Sequence, residues 1–294
     1  MNHIKEPFSR KLFLWLNGVV LLLIAVVCFY PMVYVLFASF SSPNAMAAHS
    51  GALLWPLKPT LVAYENVLKN SSIWTGYLNT IFVVVTGVAL NLVMTTLAAF
   101  FFSRKGIMHS KALMLVVMFT MFFSGGIIPT YLMLKNMGFI DNLLVLIIPS
   151  AINTTNMIIM RTAFYSVPDS LEESARMDGA GNLTVLVKII IPLILPTFAV
   201  VGLYYAVGHW NAWFNASLYI KDRNLYPLQL VLREILILGE TSTMDIDSTM
   251  ADKAMLSETL KYAVIVVSTV PILCVYPFIQ KYFVKGVMVG AVKE

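Results

Sequence analysis

The chain has 294 residues, 59% hydrophobic and 12% charged, with a mean hydropathy of +0.81. That excludes an ordinary soluble domain, in which about a quarter of the residues are charged, and leaves an integral membrane protein. The formal charge of +5 is spread between long apolar blocks and is not a nucleic-acid footprint, while two cysteines and four scattered histidines exclude a disulfide scaffold or a Cys/His metal centre.

In chain order, residues 1–11 form a short basic arm carrying Lys5, Arg10 and Lys11. Apolar runs long enough to cross a hydrocarbon core of ~30 Å follow at 12–38, 77–102, 111–134, 143–165, 197–219 and 260–282. The expected fold is therefore all-α, with six transmembrane helices. The first run is too long for a signal-peptide core and reads as a retained helix, kinked at Pro31. Cys28 and Cys274 fall inside spans and read as packing residues. The segment 41–72 is rich in aromatics, among them Trp55 and Tyr64, which suit either interfacial anchoring or contact with an extracytoplasmic partner.

Polar residues inside the other spans are the candidate lining of a path. The second span carries Asn79, Asn91, Thr95 and Thr96, and the third is interrupted by Gly125, Gly126 and Pro129. The fourth has Asn153-Thr154-Thr155-Asn156 near its middle, where interhelical hydrogen bonding and solute contact are both open. The fifth combines Tyr205, His209, Trp210, Asn211, Trp213 and Asn215. Amides beside flat aromatic faces suit a sugar, although Trp210 and Trp213 equally suit an interfacial belt. Asn79, Asn153, Asn156, Tyr205, Asn211 and Asn215 are the pathway candidates. A long segment, 221–257, carries Tyr226-Pro227-Leu228-Gln229, a short amphipathic helix and then an acidic run. A tail, 283–294, closes the chain.

The one polar, sharply punctuated stretch between apolar blocks is 168–196. Pro168 and a capping box from Ser170 to Glu173 predict a short helix starting at Asp169 or Ser170. Gly179 should end it in a left-handed elbow, and a second short helix through Leu183, Leu186 and Ile190 should stop at Pro192.

Glu173-Ser174-Ala175, three residues, Gly179, nine residues and then Ile189-x-Ile191-Pro192 resembles the E-A-A…G…I-x-L-P coupling loop of the membrane subunits of binding-protein-dependent ABC importers. Glu173 to Ala180 is similar to the E-A-A-x-x-D-G-A form of the carbohydrate branch, with Ser174 for the middle alanine and Ile191 for leucine. The resemblance implies a type I importer permease fold whose cytoplasmic helix-turn-helix sits in a cleft of a separate ATPase dimer. Glu172, Glu173, Ser174, Ala175, Asp178, Gly179, Ala180, Ile189 and Pro192 would carry the coupling. It also implies ATP and Mg on that partner, a solute-binding protein outside, and a second homologous permease, with a heterodimer favoured. The Asn211-to-Ala216 and Tyr226-to-Gln229 segments resemble subunits that import complex oligosaccharides such as alginate or pectin fragments.

Lys and Arg concentrate in the segments that lie inside if both termini are cytoplasmic, and acidic residues in those outside, which places 168–196 in the cytoplasm, and the resemblance implies that the membrane is a bacterial inner membrane. No G-x-x-x-x-G-K-[ST] loop occurs, so energy must come from another subunit, and no catalytic motif or metal spacing is present. An amino-acid or peptide permease and a non-transporting membrane scaffold are the alternative readings.

Overall fold

The structure is a computed structural model that describes residues 8–104, 106–238, 258–274 and 277. The described residues fall into two compact units, one within 1–70 and 239–269, the other within 71–238 and 270–294.

In the first unit, α1 (Phe8–Ser39) is a continuous helix through Pro31, exposed along almost all its apolar length, as a lipid-facing helix is. Cys28 lies on this exposed surface and is not a core residue; Cys274, on the helix at 258–274, is exposed too. The segment after α1 is folded. It contains α2 (Pro43–Ala47) and α3 (Val62–Lys69), and packs Met46 and Leu53 against Ala38, with Tyr34, Phe37, Leu57 and Tyr262 around them. The Leu53 N–H donates to the Tyr30 hydroxyl (2.9 Å), and the Ser39 and Tyr64 hydroxyls pair at 2.7 Å.

The second unit is built on α4 (Ser71–Ser103), whose 33 residues reach about 50 Å. Its buried stripe runs Ile73, Gly76, Thr80, Val83, Gly87, Asn91, Thr95, Ala99, Ser103, a row of mostly small or hydroxylated side chains at helical spacing that lets neighbours come close. After it come α5 (Ser110–Phe122) and α6 (Ile127–Asn136), two 3₁₀ turns (Leu143–Leu146, Ile148–Ser150), and α7 (Thr154–Tyr165). The polar hairpin holds α8 (Asp169–Met177), α9 (Asn182–Val185), a π turn (Leu186–Ile190) and α10 (Ile191–Leu193). Then α11 (Leu195–Trp210), α12 (Trp213–Tyr219) and α13 (Leu228–Arg233) complete it, the last running into a π turn (Glu234–Leu238).

By length and composition, α1 and α4 can cross a membrane, and three bent pairs bring the number to as many as five among the described residues. The interruption expected in the third span is a bend of 111° between α5 and α6, with Gly126 at φ +85°. The fourth span, expected as one helix, is instead bent by 47° between the 3₁₀ turns and α7. Asn153 is not in mid-helix. It caps α7, its Oδ1 accepting the Asn156 N–H at 3.0 Å, a local bond that competes with helix continuation. The fifth span is also divided, between α11 and α12 at Asn211 and Ala212. Of the sixth, residues 260–274 are helical and most of the remainder lies outside the described residues, as do 239–257 and the tail.

One end of α4 is tied to the connection after α12. Asn79 Nδ2 donates to the carbonyls of Asn224 (2.8 Å) and Tyr226 (3.1 Å), and Thr80 Oγ1 accepts the Leu228 N–H at 2.8 Å. Gly76 makes room for this approach: a Cβ there would lie 3.1 Å from Leu228 Cα. Nearby, Asp141 holds a left-handed backbone (φ 62°), and its Oδ1 accepts the N–H groups of Asp222 (2.8 Å) and Lys221 (2.9 Å). Those two donors, that of Asp222 first, hold the Asp141 carboxyl below the usual carboxylate range. A lowered folded-state value means that the stabilisation is present above the ordinary aspartate range, near 3.9, and is lost as pH falls through the lower folded value. In thermal melts of the detergent-solubilised protein, wild type should lose stability over that acid window, whereas Asp141→Asn should lack this component.

Candidate functional site

The hairpin has the elbow expected of it. Gly179 sits at φ +82°, its N–H reaches the Arg176 carbonyl (3.0 Å), and the Ala180 N–H reaches the Ala175 carbonyl (2.9 Å). This pair of bonds is a Schellman motif, and Ala175 and Ala180, which flank it, pack on the core around Phe164 and Val185. A Cβ on Gly179 would meet nothing within 4 Å, so glycine is required by the backbone and not by crowding.

Two expectations about the hairpin are corrected. The capping box does not form: α8 starts at Asp169 with Pro168 in the cap position and no side-chain cap bond, because Ser170 then lies inside the helix and not at its N-cap, while Asp169 and Glu172 supply first-turn acidity that suits the helix dipole. Pro192 does not end the second helix either. The turn before it widens to π geometry, with the Ile191 N–H bonded to the Leu186 carbonyl, and the helix runs to Leu193. A proline brings no N–H and crowds the carbonyl four residues back, and the wider turn accommodates both defects. The 88° bend falls at Ile194, ahead of Pro196 in the first turn of α11.

Glu172 points inward. It pairs with Arg104, just past the end of α4, and with Arg176 one turn along α8 (2.9 Å). Arg176 also donates to Asn182 Oδ1 (2.6 Å), so one chain of charge-assisted bonds joins α4, α8 and α9 across the elbow. Burial, then the charge of Arg176, pushes the Arg104 guanidinium down from its ordinary value, while Asp169 opposes them. Arg161 Nε (2.9 Å) and the Tyr165 hydroxyl (3.1 Å) donate to the Phe102 carbonyl, which fastens α7 to the same end of α4. Glu173, Ser174 and Asp178 are exposed, Ile189 is half-buried, and Met177 and Leu183 stand out as apolar surface.

Deeper in the unit, two polar rungs cross from α4 to α11. Asn91 Nδ2 donates to the Ser150 carbonyl (2.5 Å), which leaves Asn91 Oδ1 facing His209 Nε2 at 2.6 Å. An amide oxygen only accepts, so Nε2 carries the proton. One turn along, the Tyr205 hydroxyl accepts the Asn153 N–H (2.9 Å) and pairs with Thr95 Oγ1 (2.6 Å). Ser150 and Asn153 border the break before α7, so the rungs satisfy the backbone groups that the break frees. Gly87 completes the arrangement: a Cβ there would lie 2.6 Å from His209 Nε2. Neither Gly87 nor Ser150 is a candidate by residue type, although the Gly87, Asn91, Thr95 spacing marks one face of the second span.

A cavity of about 310 Å³ opens against these rungs, lined among others by Asn153, Asn156, Tyr204, Tyr205, His209 and Asn215. Four of the pathway candidates are thus brought together. The other two are placed elsewhere: Asn79 holds the connection before α13, and Asn211 donates to the Val207 carbonyl (3.0 Å) at the end of α11.

The family described as "Binding-protein-dependent transport system inner membrane component" matches residues 71–289. The chain belongs to that family. The permease is 40% identical over 273 residues, 93% of it and 95% of the relative, to the polygalacturonan/rhamnogalacturonan transport system permease protein YtcP of Bacillus subtilis (strain 168). It is 40% identical over 263 residues, 90% of it and 88% of the relative, to protein LplC of the same organism. Its fold matches a chain in the crystal structure of a bacterial ABC transporter involved in the import of the acidic polysaccharide alginate, with a TM-score of 0.86 and 33% identity over 96% of this chain and 100% of that one. The matched region holds the hairpin, both rungs and the cavity.

Gly87→Ala in the permease should force the His209 ring away from Asn91. Overpacking of this kind costs about 1–3 kcal/mol, to be read as a lowered melting temperature of the purified protein, and the double variant with His209→Ala should recover part of it.

Proposed function

We propose that this permease forms one half of the translocation path of an ABC importer for acidic oligosaccharides in the bacterial inner membrane. It has six spans and both termini in the cytoplasm. A separate ATPase dimer, which holds ATP and Mg, drives it through the hairpin at 168–196. A second, homologous permease completes the path, and a solute-binding protein delivers the cargo from outside. On this reading residues 12–282 act as one permease domain.

The observation that carries the coupling role is the build of the hairpin. Glycine elbow, Arg176–Asn182 bond and Arg104–Glu172 pair join two short helices and the end of α4 into one piece, as a rigid transmission element requires. In this role Glu173, Ser174 and Asp178 meet the ATPase, while Glu172, Ala175 and Ala180 hold the hairpin to the bundle. Ile189 and Pro192 set the course of the chain back toward α11. The cargo class is supported by the relatives with polygalacturonan/rhamnogalacturonan and alginate in their names. A cavity lined by amides, tyrosines and a histidine suits a hydroxyl-rich ligand.

The deciding experiment is reconstitution of the permease with its partner subunits in proteoliposomes. Oligogalacturonides loaded on the binding protein should stimulate ATP hydrolysis and accumulate inside, and stimulation by amino acids or peptides alone would overturn the cargo class. Gly179→Val should abolish uptake while the protein stays in the membrane, because a β-branched residue resists the left-handed elbow. Gly179→Asn, at a backbone cost of about 1–2 kcal/mol or less, should retain part of it. Glu173→Gln should leave the α8 helix intact, having no cap bond to lose, and should weaken co-purification of the ATPase; unchanged ATPase binding would remove Glu173 from the contact.

A further inference from the structure

The tyrosine pair at the cavity divides into two roles. Tyr205 is buried, and its hydroxyl is committed to the Asn153 N–H and Thr95, so it has little left to offer a solute. Its neighbour Tyr204, a third of a turn around α11, lines the same cavity and is 46% exposed. Asn156 also lines it. Only 8% of this residue is exposed, yet among the described residues its side-chain amide has no protein hydrogen bond; the Asn153 cap engages its backbone N–H alone. That amide is open to the cavity, where a polar ligand can meet both its donor and its acceptor. Asn215, exposed on α12, adds a second open amide to the wall.

We propose that Tyr204 is the aromatic face on which a sugar ring of the cargo rests, with the amides of Asn156 and Asn215 on its hydroxyls and with Tyr205 and His209 as positioning residues behind. The chemistry is that of saccharide recognition: a flat apolar face against the ring's C–H surface and amides, each both donor and acceptor, at its edge. Among the described residues, no Lys or Arg lines the cavity. Carboxylates of an acidic oligosaccharide are therefore met by N–H donors and not by ion pairs, which keeps the subsite weak enough to release what it receives. This inference rests on the oligosaccharide reading above and deepens it.

The test uses the complete transporter in proteoliposomes with tetragalacturonate as the probe, measuring sugar delivered per ATP hydrolysed. Tyr204→Leu should lower that ratio several-fold, Tyr204→Phe should restore it, and Asn215→Ala should lower it without a loss of melting temperature. For the positioning residues, Tyr205→Phe should lower the melting temperature by freeing the Asn153 N–H, a shift Tyr204→Phe should not show. Wild-type delivery per ATP in both Tyr204→Leu and Asn215→Ala would overturn the inference, and so would failure of Tyr204→Leu to assemble with the second permease, which would make Tyr204 an interface residue. A wild-type transporter that ignores tetragalacturonate and every other acidic oligosaccharide fails the function reading instead, so the two failures are distinguishable.

Discussion

Inside a bilayer a broken helix has no water to satisfy the peptide groups that the break sets free. This permease interrupts its helices at 123–126, around Ser150–Asn153, at Ile194 and at 211–212, and the interruption around Ser150–Asn153 governs the organisation of the unit. The Ser150 carbonyl takes its hydrogen bond from Asn91, and the Asn153 N–H gives its own to Tyr205. Both partners stand on rigid helices. Asn91 is fixed in turn by His209, and His209 fits because Gly87 has no side chain. The polar stripe of α4 is therefore the condition on which a non-helical, cavity-lining segment can exist at that depth.

The same helix links the two ends of its unit. At one, Asn79 and Thr80 hold the connection that leads into α13, and Gly76 lets that backbone approach; at the other, Arg104 grips Glu172 of the hairpin, and Phe102 receives Arg161 and Tyr165 from α7. Between them lie the two rungs and the cavity. The hairpin and the cavity wall are thus attached to one helix, in part through the charge-assisted bonds of Arg104 and Arg161.

The local punctuation of 168–196 was readable residue by residue because it depends on backbone preferences. Gly179 had to be the left-handed residue in a D-G-A-G run, and the Gly125-Gly126 interruption had to weaken the third span, whatever packed around them. Where a local signal competed with a neighbour, reading along the chain misplaced it. Ser170 and Glu173 had the spacing of a capping box, and the helix does start at Asp169, but Pro168 holds the cap position and no side-chain cap bond forms; Pro192 had the chemistry of a stop, but a π turn absorbs it. Asn153 seemed one of four equivalent polar residues, and only its bond to the Asn156 N–H distinguishes it as the cap.

Composition and periodicity alone determined that the chain is an all-helical membrane protein with one polar hairpin between apolar blocks, since burying so much apolar surface in lipid and satisfying every peptide group within a helix leave few alternatives. Which polar side chains face a cavity and which are spent on holding the fold was decided only in three dimensions. Asn79 and Asn211 bind backbone carbonyls, Tyr205 serves a broken helix, and Tyr204 and Asn156 stay open to the cavity. Adjacent residues of one type differ in this way because a helix turns by about a quarter of its circumference or more at each step. Their roles then depend on what the neighbouring helices, distant in sequence, bring opposite them.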